Sequence, residues 1–194
     1  MENFFKYKNK YRIDSLRHKN WDYGNDGCYF ITICTKSKKN FFGKIKDGRV
    51  ILNSLGEMAQ KYWKEIPEHF LFIRLDEFVI MPNHIHGILI IEKGLDCINS
   101  SRSNLNVETL HCNVSTDEKN DYYRRISPKT GTLSTVIRSY KSVCTKNIKK
   151  FKADFAWQDN FYDRIVREEK ELDNIKQYIY NNPLKWGEDE NFCR

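Results

Sequence analysis

Two histidines, His84 and His86, lie one residue apart inside an apolar, β-branched run that covers residues 78–92 (FVIMPNHIHGILIIE). Only Pro82-Asn83 interrupt the run, and they suit the middle of a tight turn, so the segment predicts a β-hairpin whose second strand begins at His84. Because successive side chains of a strand point to opposite faces, both imidazoles are expected on the same face. The chain must therefore accommodate a largely apolar strand that carries two neighbouring imidazoles.

The histidine pair has two interpretations. If the pair only fills a hydrophobic core, four ring nitrogens need hydrogen-bond partners, and the strand offers no other polar side chain between Ile85 and Ile91. If the pair is functional, its nitrogens can bind a divalent metal from one edge or take part in phosphate chemistry. The pattern favours the functional interpretation.

Composition points to a nucleic-acid partner. The 194 residues carry a formal net charge of +7, and aromatic residues make up 14% of the chain, so cationic and stacking side chains are both plentiful. A basic protein without such a partner is the alternative, which charge alone does not exclude. The length is that of one domain with additional segments.

The cysteines and the apolar runs bear on the cellular compartment. The six cysteines are widely spaced and form no CxxC pair, which predicts reduced thiols in a cytoplasmic protein. The first twenty residues are polar and basic, and no later apolar run is long enough to cross a bilayer. We therefore expect no membrane partner.

The hydrophobic pattern predicts the order strand, helix, hairpin, helix, strand, helix. These elements are expected, in turn, at residues 28–35, 55–66, 70–91, 131–150, the end of 157–166, and 168–182. Asn53 or Ser54 is expected to cap the first helix. The order predicts an α+β fold, a ferredoxin-like sandwich in which a small antiparallel sheet carries helices on one face.

The same patterns predict one domain at residues 27–187. A basic, aromatic-bearing N-terminal arm precedes it at residues 1–26, and a C-terminal tail follows at residues 188–194. Residues 93–130 are polar, rich in Ser and Asn, and without sustained periodicity, which predicts a surface insertion.

The helix predicted at residues 131–150 has a basic face opposite its apolar one. Arg138, Lys146 and Lys149 project from that face, Lys141 lies on its flank, and the helix contains no acidic residue. Because like charges on one helix face repel each other, this face is expected to meet phosphate groups.

The last predicted helix brings a phenol and a carboxamide together. Tyr178 and Asn182 are one helical turn apart at the edge of its apolar stripe, whereas Tyr180 points to nearly the opposite side. Two imidazoles, one amide oxygen and open water positions would suit Mg²⁺ or Mn²⁺. Zinc is less suitable without a thiolate or carboxylate nearby.

These residues occur in motifs that resemble a known family. The chain resembles the single-tyrosine HUH transposases of insertion sequences, and among them the REP-associated tyrosine transposases. The matching motifs follow the family's order and, together with residues 52–67, span most of the chain, leaving out the arm and the insertion. They are MPNHIHGI at 81–88, SYKS at 139–142, WQDNFYDRIVR at 157–167 and YIYNNP at 178–183.

The resemblance implies a site and a fold. His84 and His86 would be metal ligands, Tyr178 the nucleophile, and Asn182 the third ligand, where other insertion-sequence members have a glutamine. The fold would be the HUH endonuclease palm, and the cofactor Mg²⁺ or Mn²⁺.

The resemblance also implies a reaction. Tyr178 would cleave single-stranded DNA at hairpin-forming repeats, leaving a free 3′-OH and a covalent 5′-phosphotyrosine. Arg138, Lys141, Lys146 and Lys149 would contact backbone phosphates. Trp157, like Phe161, could stack on bases or pack in the core. A monomer and a homodimer are both conceivable.

Three alternatives belong to other classes. A nucleotide hydrolase with a histidine nucleophile typically extends the alternation to a third histidine, where this chain has Ile88. A non-enzymatic nucleic-acid-binding module on the same fold would need exposed aromatic side chains on its sheet. An inactive descendant of a transposase would not need to keep the four predicted site residues.

Overall fold

The computed structural model describes residues 22–94 and 130–192. Nearly all of the predicted arm, most of the predicted insertion and the end of the predicted tail lie outside these residues. The strands are β1 (Gly27–Cys34), β2 (Gly43–Lys46), β3 (Arg49–Leu52), β4 (Ile73–Ile80), β5 (His84–Ile91) and β6 (Tyr162–Val166). The helices are α1 (Ser54–Lys64), α2 (Ile66–His69), α3 (Leu133–Ile148) and α4 (Glu169–Asn181), and a short 3₁₀ turn follows at Trp186–Glu188.

The main sheet has four antiparallel strands in the order β4-β5-β1-β6. The strand that carries the histidines lies inside the sheet, paired with β4 on one side and β1 on the other. In the β1 pairing His86 lies opposite Thr32, and His84 lies opposite Cys34. Strands β2 and β3 form a separate two-stranded ribbon.

Both faces of the sheet are covered. On one face Ile85 and Leu89 of β5 join a core that includes Trp63 of α1 and Tyr140 of α3. On the other face Phe30, Ile88, Ile175 and Ile179 form a smaller cluster, through which α4 packs on the sheet. Alternation along β5 places His84 and His86 on the same face as Ile88, so the histidines lie on the side of α4.

The predicted α+β fold, a small antiparallel sheet with helices, is confirmed. The helices, however, do not all share one face: α1 and α3 cover one side, and α4 covers the other. The reason is that β5 is apolar at both alternating sets of positions, so each face needs its own cover.

Most element predictions agree closely with the structure, and the ribbon was missed. The Asn53 side chain caps α1 by accepting hydrogen bonds from the backbone N–H groups of Leu55 and Gly56, both at 3.0 Å. The ribbon strands have four residues each, and half of their side chains are exposed, so hydrophobic periodicity does not mark them. The Asp47-Gly48 pair between them is a hairpin signal that could have revealed the ribbon.

Two further observations on the described residues concern the cysteines and the helices. Cys28, Cys34 and Cys144 are free thiols. Within residues 22–94 and 130–192, none of the helices combines the length and the apolar character that crossing a membrane requires.

We predict that Gly87→Ala destabilises the protein. Gly87 lies in β5, where a Cβ atom would overlap the fully buried indole ring of Trp63. Overpacking of this kind typically costs about 1–3 kcal/mol, measurable as a lower free energy of unfolding in urea. Gly94→Ala is the matched control, because a Cβ there meets no atom of residues 22–94 or 130–192 within 4 Å. Equal stability of the two variants would contradict the prediction.

Candidate active site

The two histidines are buried side by side at the start of β5. Their ring centroids are 4.4 Å apart. His84 Nδ1 is 2.8 Å from Asn83 Oδ1, and His86 Nδ1 is 2.9 Å from Thr32 Oγ1. The hydrogen-bond partners of these ring nitrogens thus come from the turn before β5 and from the neighbouring strand β1.

The hydrogen bonds of Asn83 determine which nitrogen of His84 carries the proton. Asn83 Nδ2 donates to the carbonyl oxygens of Lys38, at 2.9 Å, and Asn191, at 2.8 Å, so its Oδ1 faces His84. Since that oxygen only accepts, His84 Nδ1 must donate, which leaves a lone pair on Nε2. Among the described residues this buried Nε2 has no hydrogen-bond partner. Such a tautomer, held by an oxygen at Nδ1, is typical of metal-binding histidines.

Burial keeps both imidazoles neutral. Desolvation lowers the pKa of His84 to about 4, although the Asp189 carboxylate acts in the opposite direction. Desolvation, together with the nearby His84, also holds the pKa of His86 well below its ordinary value. Neutral imidazoles are the form that binds metal ions, so the pair is ready to act as ligands at neutral pH.

Tyr178 reaches the histidine pair from α4. Its hydroxyl oxygen is 3.2 Å from His86 Nε2 and 3.5 Å from Asp189 Oδ2. Burial, followed by the charges of Asp189 and Glu190, raises the pKa of Tyr178 to about 12, so the phenol is protonated at neutral pH. The side chain is still 47% exposed, which leaves the hydroxyl accessible to a substrate. Tyr180, in contrast, is 77% exposed and has no described contact with the histidines.

Asn182 lies at the C-terminal end of α4 and is only 3% exposed. Its Nδ2 donates to Asp189 Oδ2 at 2.7 Å. Its buried Oδ1 finds no partner in the part of the chain that the structure describes. An unpaired buried oxygen is costly and is usually explained by an unrecorded water or ion.

Asp189 is a site residue that the sequence did not reveal. It lies in the segment predicted as a tail, after the 3₁₀ turn at Trp186–Glu188. One ligand atom from each of His84, His86 and Asp189 lies within 4.8 Å of the other two. The acidic run at residues 188–190 was visible, but no periodicity or motif connected it with the histidines.

The donor set fits a divalent cation. It combines two neutral imidazoles with amide and carboxylate oxygens, and the lone pairs on His84 Nε2 and Asn182 Oδ1 are buried and unpaired within the described residues. The oxygen ligands suit Mn²⁺ or Mg²⁺, and the Asp189 carboxylate supplies the ligand type whose absence made zinc less suitable in the sequence analysis.

The residues predicted to contact DNA divide into two groups. Arg138, Lys146 and Lys149 are exposed on α3 and line a groove together with residues 156–160. Lys141 instead donates to the carbonyl oxygens of Gln158, at 2.7 Å, and Asn160, at 2.9 Å, so its ammonium group holds this loop in place.

Trp157 is a core residue. It is 8% exposed, its Nε1 donates to the Lys141 carbonyl at 3.1 Å, and its ring packs against Phe42 and Phe155. The core-packing alternative therefore describes Trp157, because little of its ring surface is left for a base to stack on.

A second groove connects the loop with the histidines. It has a volume of about 1000 Å³ and is lined by His86, Tyr178, Arg164 and residues 157–162, among others. Residues 157–160 line both grooves. Residues 157–160 therefore lie between the basic face of α3 and the groove that contains Tyr178.

We predict that metal-free protein loses stability as the pH falls from 7 towards 5. In the unfolded chain both histidines take up protons near pH 6.5, whereas the folded state holds both pKa values lower. Proton uptake by the unfolded state should remove about 2 kcal/mol per histidine at pH 5. Urea unfolding in EDTA at several pH values measures the slope of the unfolding free energy against pH. His84→Gln and His86→Gln should each flatten it, and a slope unchanged in both variants would contradict the prediction.

Comparisons with known proteins place the chain in a family. No protein-family model matches it. An uncharacterised protein of Haemophilus influenzae is 36% identical over 180 residues, covering 91% of both chains. A second protein of the same organism, described as "Putative REP-associated tyrosine transposase", is 25% identical over 166 residues, covering 86% of this chain and 75% of its own.

The fold gives an independent comparison. A solved structure of a REP-associated tyrosine transposase bound to a REP hairpin superposes with a TM-score of 0.54 at 17% identity, covering 89% of this chain and 74% of that one. This similarity supports the α+β fold described above. By sequence, the chain belongs to the same family as the uncharacterised Haemophilus influenzae protein, and it is more distantly similar, in sequence and in fold, to REP-associated tyrosine transposases.

Proposed function

We propose that the protein is a transposase that cleaves and rejoins single-stranded DNA through a covalent 5′-phosphotyrosine on Tyr178. One observation carries the proposal: the Tyr178 hydroxyl lies 3.2 Å from Nε2 of a buried histidine, beside a second histidine whose Nε2 is unpaired within the described residues. A nucleophile next to a set of metal-ligand atoms is an arrangement that can catalyse phosphoryl transfer through a covalent intermediate.

His84, His86 and Asn182 would hold the divalent cation, Mg²⁺ or Mn²⁺. When bound, the cation would polarise the scissile phosphate and offset the negative charge that develops during the reaction. Thr32 and Asn83 orient the two imidazoles through hydrogen bonds to their Nδ1 atoms.

Tyr178 would attack the phosphorus atom in line. A new bond forms between the phenolic oxygen and phosphorus, and the bond from phosphorus to the 3′ oxygen breaks. The departing 3′ oxygen takes up a proton from solvent and becomes a free 3′-OH. The phenol must lose its proton, and because its pKa is about 12 it needs an acceptor. The Asp189 carboxylate, 3.5 Å from the hydroxyl, is such an acceptor even when His86 Nε2 is engaged by a cation.

The covalent product allows rejoining without ATP. The phosphotyrosine retains a phosphodiester linkage, so a different 3′-OH can attack it and release Tyr178. The tyrosine and the histidines in contact belong to one chain, which supports catalysis in cis and does not require a homodimer.

The surface near Tyr178 supports a DNA strand as substrate. The strand would follow the basic groove of α3, where Arg138, Lys146 and Lys149 are exposed to phosphate, and would pass residues 157–160 towards the site. The structural relative was solved with a REP hairpin, which leads us to propose hairpin-forming repeats as the substrate class.

The decisive experiment is a covalent-adduct assay. The protein is incubated with Mn²⁺ and single-stranded hairpin DNA, and adducts that survive denaturation are separated by gel electrophoresis. We expect an adduct with the wild type and with Tyr180→Phe, and none with Tyr178→Phe, which lacks the attacking oxygen.

The other outcomes have defined meanings. An adduct with Tyr178→Phe but not with Tyr180→Phe would refute the assignment of the nucleophile. DNA binding without any adduct, under all metal conditions, would instead favour a non-enzymatic nucleic-acid-binding module.

We predict that the basic face of α3 contributes to DNA affinity through phosphate contacts. Lys146→Gln/Lys149→Gln should reduce the slope of log affinity against log salt by about 1.4, because each phosphate contact on a single strand adds about 0.7. The double variant Lys61→Gln/Lys64→Gln changes the net charge equally on α1 and is the control. Equal slopes for the two double variants would contradict the predicted path.

A further inference from the structure

We propose that Asp189 is a positioning residue that fixes the carboxamide of Asn182 with its oxygen free for the cation. This inference rests on the proposed function and concerns the same site. It differs from the simpler view that Asp189 is itself a third ligand.

The hydrogen bond between the two side chains selects one orientation of the amide. Asn182 Nδ2 lies 2.7 Å from Asp189 Oδ2, and a carboxylate can only accept hydrogen bonds. The flipped amide would place its oxygen against the carboxylate, which is repulsive. The bond therefore leaves Oδ1 as the unpaired end, and this atom is buried without a partner among the described residues.

Asp189 is itself held in place. Its Oδ1 accepts from the backbone N–H of Asn191 at 2.6 Å. The Asn191 carbonyl accepts from Asn83, and the Glu190 carbonyl accepts from the Lys38 ammonium group at 2.6 Å. The carboxylate thus approaches Asn182 from a segment that is fixed at the two positions following Asp189.

The same network orients one of the histidines. Asn83 bonds the segment that carries Asp189 and also bonds His84 Nδ1. Asn83 orients His84 and Asp189 orients Asn182, each through a hydrogen bond to a side-chain nitrogen other than the proposed ligand atom. Such outer partners commonly change metal affinity about 10- to 100-fold when they are removed.

Direct ligation by Asp189 is the competing explanation, because its carboxylate lies within 4.8 Å of the histidine nitrogens. A double-mutant cycle separates the two roles. If Asp189 acts through Asn182, its removal matters only while Asn182 is present. If Asp189 binds the metal itself, its removal lowers the affinity in either background.

The experiment measures Mn²⁺ affinity of the full-length protein without DNA, by calorimetry and by the electron paramagnetic resonance signal of free Mn²⁺. The variants are Asp189→Ala, Asn182→Ala, the double variant and Asp189→Asn. Glu190→Ala is the matched control, because it removes an exposed acid next to Asp189. Thermal unfolding in EDTA reports whether each variant is folded, and His84→Ala/His86→Ala shows that the measured ion occupies this site.

We expect Asp189→Ala to weaken Mn²⁺ binding about 10- to 100-fold in the wild-type background and less than about twofold in Asn182→Ala. Asp189→Asn should lose less Mn²⁺ affinity, because the amide oxygen of an asparagine can still accept a hydrogen bond from Asn182 Nδ2. If Asp189→Ala does not fold, Asp189→Asn takes its place in the cycle, with the same pattern expected at smaller amplitude.

Two results would overturn the proposal while leaving the proposed function intact. One is an equal loss of affinity in both backgrounds, which would make Asp189 a ligand. The other is an equal loss of Mn²⁺ affinity in Glu190→Ala, which would show that the effect comes from removing any nearby negative charge. If wild-type protein binds no Mn²⁺, or the double histidine variant binds it equally well, the metal site of the proposed function fails together with this inference.

Discussion

The burial of β5 on both faces is the constraint on which the rest of the structure depends. Ile85 and Leu89 are fully buried on one side of this strand, and Ile88 is fully buried on the other. A strand with apolar side chains on both faces cannot expose either face to solvent, so helices must cover the sheet on each side. Helix α4 covers the side on which the histidines lie, and in doing so brings Tyr178 to His86.

The histidines introduce a local conflict that the fold resolves only in part. Two imidazoles in a buried strand lose their hydration, which must be replaced by hydrogen bonds. Thr32 and Asn83 replace it at the Nδ1 atoms, and the Tyr178 hydroxyl lies next to Nε2 of His86. His84 Nε2 is left unpaired within the described residues, as is the amide oxygen of Asn182. Unpaired buried polar atoms are expected where a protein binds another group, because the bound group supplies their missing partners.

Local sequence patterns were sufficient wherever the relevant residues are neighbours along the chain. The alternation in β5 placed His84 and His86 on one face, and helical spacing separated Tyr178 from Tyr180. The patterns did not decide what Lys141 and Trp157 do. Lys141 bonds loop carbonyls, and Trp157 packs in the core, because residues 156–160 fold back on α3. A charge or a ring on a predicted helix does not reveal whether another segment covers it.

The sequence by itself determined most of the elements, the shared face of the two histidines, and the motifs that resemble the REP-associated tyrosine transposases. Only the tertiary structure decided that α4 lies on the histidine face, that Tyr178 and His86 meet across 92 positions of the chain, and that Asp189 lies within hydrogen-bonding distance of Asn182. The physical reason is one of range. Backbone geometry relates residues within a strand or a helical turn, whereas distances between remote segments depend on which apolar surfaces pack together.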